Sequence, residues 1–262
     1  PKNAPLEVRH GENRRWKYRL RLGILNFIEK FLDVEKINIG EGYGEILFEF
    51  IPPNLPSNLN QENILSIAQG EISCVLDIET DGLPERKSEN GCFSVSYPNI
   101  IQIAWILLDK KGNMLKKESE LINFIGIKQT EAYNINNIDV NLVKKIGKDP
   151  IEVFKKLIAD VSLSSFIVAH NADFDIPIIK SQLNKYSLPN PFSNKRIVCT
   201  MKETVHFCGI VTGNDELKFP KLFELYEKLF DYKIEQRHNA ESDVLITAKC
   251  YKELINKEII DL

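Results

Sequence analysis

Long hydrophobic runs are missing from this chain, and that absence removes the membrane-spanning classes first. No segment of the 262 residues approaches the roughly 18 consecutive apolar residues that a spanning helix needs. Cysteine is scarce as well. The five, Cys74, Cys92, Cys199, Cys208 and Cys250, form no CxxC pair and no metal-ligand rhythm. An odd, scattered set argues against a disulfide framework and for a reducing compartment, with the cytoplasm as the default. Cys74 and Cys250 read as small apolar packing residues. Positive charge is not in excess: 34 Lys and Arg against 37 Asp and Glu leave a formal charge of -3. Total charge therefore does not advertise a nucleic-acid partner. It does not exclude one, because a carboxylate-lined site becomes locally positive by binding divalent ions. A phosphate-cradling glycine loop is lacking too. Gly40-Glu41-Gly42-Tyr43-Gly44 is followed by a strand pattern and by no Lys-Ser/Thr, so it reads as hairpin punctuation. The chain begins at Pro1 rather than Met, so a longer natural N-terminus is expected.

What is present divides into two parts. Arg14 to Leu32 has helical apolar spacing at Trp16, Leu20, Ile24, Phe27, Ile28 and Phe31, and Glu45 to Ile51 reads as a strand. Arg9, Arg14, Arg15, Lys17, Arg19 and Arg21 crowd around Trp16 and Tyr18. Such a basic cluster with interleaved aromatics suits a phosphate backbone, or equally a helix end packed on its own domain. The Pro- and Asn-rich stretch from Pro52 to Asn63 reads as a linker, and the boundary is placed near residue 70. Residues 1–70 are thus a small α+β extension of unknown role, and residues 71–262 the main domain.

In the main domain, strands are expected at Ile72–Glu79, Ile100–Asp109 and Leu115–Phe124, the last two joined as a hairpin at Lys111-Gly112-Asn113. A long polar loop is expected over Pro84–Asn99. Helices at Val140–Ile146 and Pro150–Leu163 follow, then a strand at Phe166–His170 and a helix at Ile176–Leu188. A fifth strand at Arg196–Met201 precedes helices at Lys221–Phe230 and Ala240–Ile260. A three-stranded meander followed by strands alternating with helices predicts an α/β fold, a mixed five-stranded sheet flanked by helices.

Three short acidic motifs stand out on this frame: Asp77-Ile78-Glu79-Thr80, His170-Asn171-Ala172-Asp173-Phe174-Asp175 and His238-Asn239-Ala240-Glu241-Ser242-Asp243. Strand alternation points Asp77 and Glu79 the same way, with Ile78 into the core. Two carboxylates side by side in a largely apolar strand are costly unless a cation or donors balance them. Oxygen ligands without Cys suit Mg²⁺ or Mn²⁺ rather than zinc. Taken alone, the pair reads equally as strand-end residues facing solvent. Asp175 lies just past a strand, where α/β sheets place their sites. Asp173 is the alternative acid, or a helix cap. His170 reads as a structural hydrogen-bonding residue. If His238 and Asp243 were both helical, five steps of about 100° would part them. They converge only when His238 precedes the helix, with Asn239 or a neighbour as its cap.

In this order the three motifs resemble Exo I, Exo II and Exo III of the DEDDh (DnaQ-like) 3′–5′ exonucleases, over roughly Ile72 to the C-terminus. A DEDDy relative would carry Tyr at the position of Asn239, so the resemblance is to the His branch. Tyr97-Pro98-Asn99-Ile100-Ile101-Gln102-Ile103-Ala104 resembles the second strand of proofreading-type members, and Phe219-Pro220-Lys221-Leu222 the helix start before Exo III. Asn136-Asn137-Ile138 stands where many relatives carry His-Gly-Ile. The resemblance implies a ribonuclease H-like fold and a metal site of Asp77, Glu79, Asp175 and Asp243 holding two Mg²⁺ or Mn²⁺ ions. It implies His238 as general base, an imidazole's ordinary pKa of about 6.5 suiting that task. Thr80, Gly82 and Leu83 would hold the terminal nucleotide, and the product would be a nucleoside 5′-monophosphate. The implied partner is a nucleic-acid 3′ end, with DNA preferred to RNA. A DNA polymerase partner would need a docking segment, and no clamp-binding motif is found. Competing readings are an RNA-trimming relative and a non-catalytic binding or polymerase-docking module. The filled set of five catalytic positions argues against the last.

Overall fold

A computed structural model describes residues 16–19, 47–50, 71–89, 92–136, 138–234 and 238–261. The chain divides into two units, Pro1–Leu59 and Asn60–Leu262. In the first, β1 (Trp16–Arg19) pairs antiparallel with β2 (Leu47–Phe50), Trp16 opposite Phe50. The helix expected from Arg14 is therefore a strand at its described positions. Cross-strand pairing with a distant segment has overridden a local helical period. The remainder of that helix, the basic residues outside β1, the glycine turn and the linker lie outside the described residues.

The second unit is built on a five-stranded sheet in the order β7 (Met114–Leu121), β6 (Ile100–Leu108), β3 (Ser73–Thr80), β8 (Phe166–Ala169), β9 (Arg196–Cys199). Three strands pair antiparallel, and β3–β8 and β8–β9 are parallel, so the sheet is mixed as expected. The two central strands are apolar on both faces because helices cover both. Cys74, Leu76 and Ile78 enter one layer with Trp105 and with Phe154 and Leu157 of α3 (Pro150–Leu163) and Ile176 and Ile179 of α4 (Ala172–Lys185). Val75, Ala104 and Ile106 enter the opposite layer. There they meet Leu222 and Leu225 of α7 (Leu222–Phe230) and Val244, Ala248 and Tyr251 of α8 (Ala240–Asn256). Strand period two decides which acid faces which helix: Asp77 and Glu79 share the face of Val75, under α8.

Local signals account for several elements. Asp149 caps α3, its carboxylate accepting from the Ile151 and Glu152 amides at 2.8 and 3.2 Å, with Pro150 in the first turn. Asp139 caps α2 (Val140–Ile146) in the same way. Asp109 closes the β6–β7 turn by accepting from Lys111 and Asn113, and Gly112 supplies the positive φ of 72°.

Three other expectations are corrected. The polar loop over Pro84–Asn99 contains a hairpin, β4 (Glu85–Glu89) with β5 (Cys92–Ser96). Phe93 and Val95, which alternate with Ser94 and Ser96, are exposed, so this alternation packs on no core. α1 (Glu131–Ile135) is an unforeseen single turn. The fifth strand stops at Cys199, and α5 (Thr200–Glu203) and α6 (Val205–Cys208) follow where strand and then unassigned chain were expected. Among the described residues, no helix is long and apolar enough to cross a membrane.

Candidate active site

Two fastenings place α8 over the end of β3. Ser73 Oγ and the Tyr251 hydroxyl meet at 2.9 Å in the core. From Tyr251 back to Asp243 is about 12 Å of helix, and from Ser73 on to Asp77 about 13 Å of strand. The two rises match, so the first fastening brings Asp243 to the level of Asp77. At the helix start, Gln102 on β6 accepts a hydrogen bond from the Ala240 amide at 3.1 Å. Gln102 is also the register partner of Glu79. Asn239 caps the helix as expected, accepting from Glu241 and Ser242 at 3.1 and 3.3 Å.

The result is a cluster. Asp77, Glu79 and Asp243 each offer a carboxylate oxygen, and these oxygens lie within 4.8 Å of one another. Asp175 arrives from the other layer: its Oδ1 accepts from the Ile78 amide, between the two acids of β3, at 3.3 Å. Asp175 and Asp243 are buried, and Asp77 and Glu79 half-buried. Burial pushes the Asp77 carboxyl well above its usual range, and the nearby Asp175, Asp243 and Glu79 push it further. Burial, then Asp243, takes Glu79 up to about 8. Burial also raises Asp175, opposed by the Ile78 amide. Four acids held together against both desolvation and mutual repulsion form an oxygen-only donor set that a hard divalent cation would relieve.

Asp173 does not join them. Helix α4 begins earlier than expected, at Ala172, so Asp173 is not the cap. Asn171 takes that place with a left-handed backbone, φ 80°. Asp173 is exposed on the first turn and pairs with Lys202 at 2.5 Å.

The two histidines differ in kind. The His170 ring joins Thr200 Oγ1 to Nδ1 at 2.9 Å and the Pro220 carbonyl to Nε2 at 3.0 Å. A carbonyl only accepts, so Nε2 carries the proton and Nδ1 accepts from Thr200. Burial brings this imidazole down to about 4, which keeps it neutral. His238, by contrast, is exposed and stands before α8 with a left-handed φ of 45°, a conformation His adopts more readily than most residues. It lines a cavity of about 780 Å³ with Asn171, Met201, Phe219, Lys221 and Phe223.

Beyond β3 the chain is tied down. Thr80 Oγ1 donates to the Gly82 carbonyl at 2.7 Å, and Thr130 to the Asp81 carbonyl at 2.7 Å. Asn136 Nδ2 donates to the Thr80 carbonyl at 3.2 Å. Leu83 is left 76% exposed. Sequence reasoning missed Gln102, Thr130 and Asn136 as supports of the site. Only Gln102 carried a signal, a polar residue amid the apolar run of β6.

No protein-family model matches the chain. It is 28% identical over 235 residues to the PolC-type DNA polymerase III of Listeria innocua, covering 87% of this chain and 15% of that protein. It is 28% identical over 187 residues to the 3′-5′ exonuclease DinG of Bacillus subtilis, covering 70% of this chain and 17% of that one. The chain thus spans less than a fifth of the length of either relative. Among solved structures, E. coli exonuclease I in complex with a dT13 oligonucleotide superposes with a TM-score of 0.57 at 14% identity, over 72% of this chain and 42% of that one. That likeness shows the fold, a ribonuclease H-like sheet with flanking helices.

Proposed function

The relatives and the fold support a DEDDh-type, DnaQ-like exonuclease, and from that premise we propose that residues 71–262 form a metal-dependent 3′–5′ exonuclease unit. It removes nucleoside 5′-monophosphates from single-stranded or frayed DNA 3′ ends. The observation that carries this reading is the convergence of Asp77, Glu79 and Asp243 within 4.8 Å, with Asp175 bonded to the intervening Ile78 amide.

Asp77, Glu79, Asp175 and Asp243 would hold two Mg²⁺ or Mn²⁺ ions. Bound there, the ions supply positive charge against the scissile phosphate and the departing 3′ oxygen. His238, outside the acid cluster and reachable from solvent, takes the proton of the attacking water. The water oxygen forms the new bond to phosphorus and the bond to the 3′ oxygen breaks, that oxygen taking a proton from solvent. A 3′ hydroxyl is left on the shortened strand. Thr80 fixes the Gly82 backbone so that this loop lies against the terminal nucleotide, and exposed Leu83 offers an apolar contact to its base. A cytoplasmic setting is our reading of the scattered cysteines.

Digestion of labelled oligonucleotides, DNA beside RNA, with Mg²⁺ or Mn²⁺ and with EDTA tests the reading. Release of 5′-mononucleotides from DNA that stops on chelation is expected. Stepwise release from RNA alone would make it an RNA-trimming enzyme instead. The similarity to part of a PolC-type DNA polymerase III favours one further reading, that this unit serves a DNA polymerase. Co-purification with a polymerase subunit tests it.

A further inference from the structure

The cavity beside His238 has a lining unlike that of the acid cluster. Phe219, Phe223, Met201 and Ile234 give it apolar walls, and Lys221 gives it a cation. No carboxylate lines it among the described residues. Its volume of about 780 Å³ exceeds the lower bound for small-ligand pockets, roughly 300 Å³. Among the described lining residues, flat rings with an ammonium match a base-and-phosphate ligand, since stacking and charge are what unstructured polynucleotide strands offer.

The wall that carries these groups is rigid although its side chains are open. The Pro220 carbonyl accepts from His170 Nε2 at 3.0 Å, and the Lys221 amide donates to Glu224 at 2.8 Å. Immediately before those two anchors Phe219 is 56% exposed. The Lys221 ammonium stands 5.8 Å from the centre of the Phe223 ring. An exposed phenylalanine on an anchored segment is a stacking platform that loses little freedom on binding.

From this we infer that the cavity binds single-stranded DNA on the 5′ side of the scissile phosphate, with Phe219 and Phe223 stacking on bases and Lys221 meeting a backbone phosphate. The inference rests on the exonuclease reading. There the terminal nucleotide lies at Thr80–Leu83, and His238, which takes the water's proton, also lines this cavity.

Binding of a 5′-fluorescein oligo-dT in EDTA, followed by anisotropy over a salt series, isolates the site from turnover. Phe219→Ala is expected to weaken binding roughly 5- to 100-fold, the range for losing a base–aromatic stack. Lys221→Gln is expected to weaken it and to lower the slope of log K against log salt by about one. Both side chains are largely exposed, and melting temperature confirms that each variant folds. Binding within two-fold of the unaltered protein in both variants would overturn the inference, as would failure of the unaltered protein to bind oligo-dT. In the turnover arm, the ratio of kcat/KM for oligo-dT to kcat/KM for the 4-nitrophenyl ester of thymidine 5′-monophosphate should fall at least five-fold in Phe219→Ala. Equal losses on both substrates would overturn it. Variants that lose oligo-dT binding in a protein that hydrolyses neither substrate would uphold the cavity as a DNA site and sink the exonuclease reading instead.

Discussion

The side chain of Gln102 and the backbone amide of Ala240 are joined by a 3.1 Å hydrogen bond, which ties the strand opposite Glu79 to the first residue of α8. Asp243 lies one turn further on, so this bond fixes where the last acid of the cluster begins its turn. The Ala240 amide is one of the orphan donors at a helix start, and it is buried.

Gln102→Ala removes the acceptor and leaves that amide unsatisfied. A stability loss of about 1–2 kcal/mol is expected, with a fall in kcat as Asp243 drifts from Asp77 and Glu79. Denaturant unfolding and steady-state rates together check this. A variant of full stability and full rate would show that Asn239 and the Tyr251–Ser73 contact suffice to place the helix.

The acid cluster makes metal binding visible without turnover. Burial and Asp243 raise Glu79 from 4.5 to about 8 in the absence of a cation. The folded state then holds a proton that the unfolded chain releases near 4.5. That contribution is fully present below about 4.5 and is lost as pH climbs through 8. A divalent cation takes over the proton's role, so millimolar Mg²⁺ or Mn²⁺ should raise the melting temperature more at pH 8 than at pH 5. At a hundred times Kd the gain is about 2.7 kcal/mol. Equal shifts at both pH values, or hydrolysis that persists after exhaustive chelation, would refute the metal site.

How much of this was legible in the sequence depended on what each residue had to satisfy. Asp77, Glu79 and Asp243 were legible chiefly through the resemblance of their motifs, since charge in an apolar strand alone left Asp77 and Glu79 equally readable as strand-end residues. Asn239 as cap followed from the spacing of His238 and Asp243. Asp175 was harder, because two aspartates share its motif and the helix starts at Ala172, four residues earlier than its apolar period suggested. The β4–β5 hairpin was passed over because its short alternation, Phe93-Ser94-Val95-Ser96, is set in a polar stretch and is exposed. β1 read as a helix because its partner strand is a distant segment. Thr130 and Asn136 donate to carbonyls at and just past the end of β3, contacts that no spacing within one element encodes.

Asp175 and Asp173 can be separated by substitution. Asp175→Asn keeps the oxygen that accepts from Ile78 but discards a charge that raises its neighbour Asp77. Activity should fall at least about a hundred-fold, the scale of losing one preorganised electrostatic partner, while stability holds or rises. Asp173→Ala breaks an exposed pair with Lys202, which solvent screens, and should leave the rate intact. Equal loss of rate in two folded variants would mean that both acids take part.

His238 is where a mechanistic and a structural role differ most in what they predict. It is exposed, holds a left-handed backbone and lines the cavity, whereas His170 is locked between Thr200 and Pro220. If His238 accepts the water's proton, His238→Ala should lose roughly 10²–10⁴-fold in kcat and retain metal affinity, because the residue is not a ligand. The acidic limb of the pH–rate profile should vanish with it, since the group that must be deprotonated there is gone. His238→Asn, which tolerates the same left-handed backbone, should show the same loss of rate and limb without a stability change. A residue that served only the turn before α8 would behave otherwise: stability would fall in the alanine variant, asparagine would restore it, and the profile would keep its limb. Melting temperature, metal titration and pH–rate profile of the two variants thus separate the roles, and a folded alanine variant with an unaltered rate across pH would remove His238 from the mechanism.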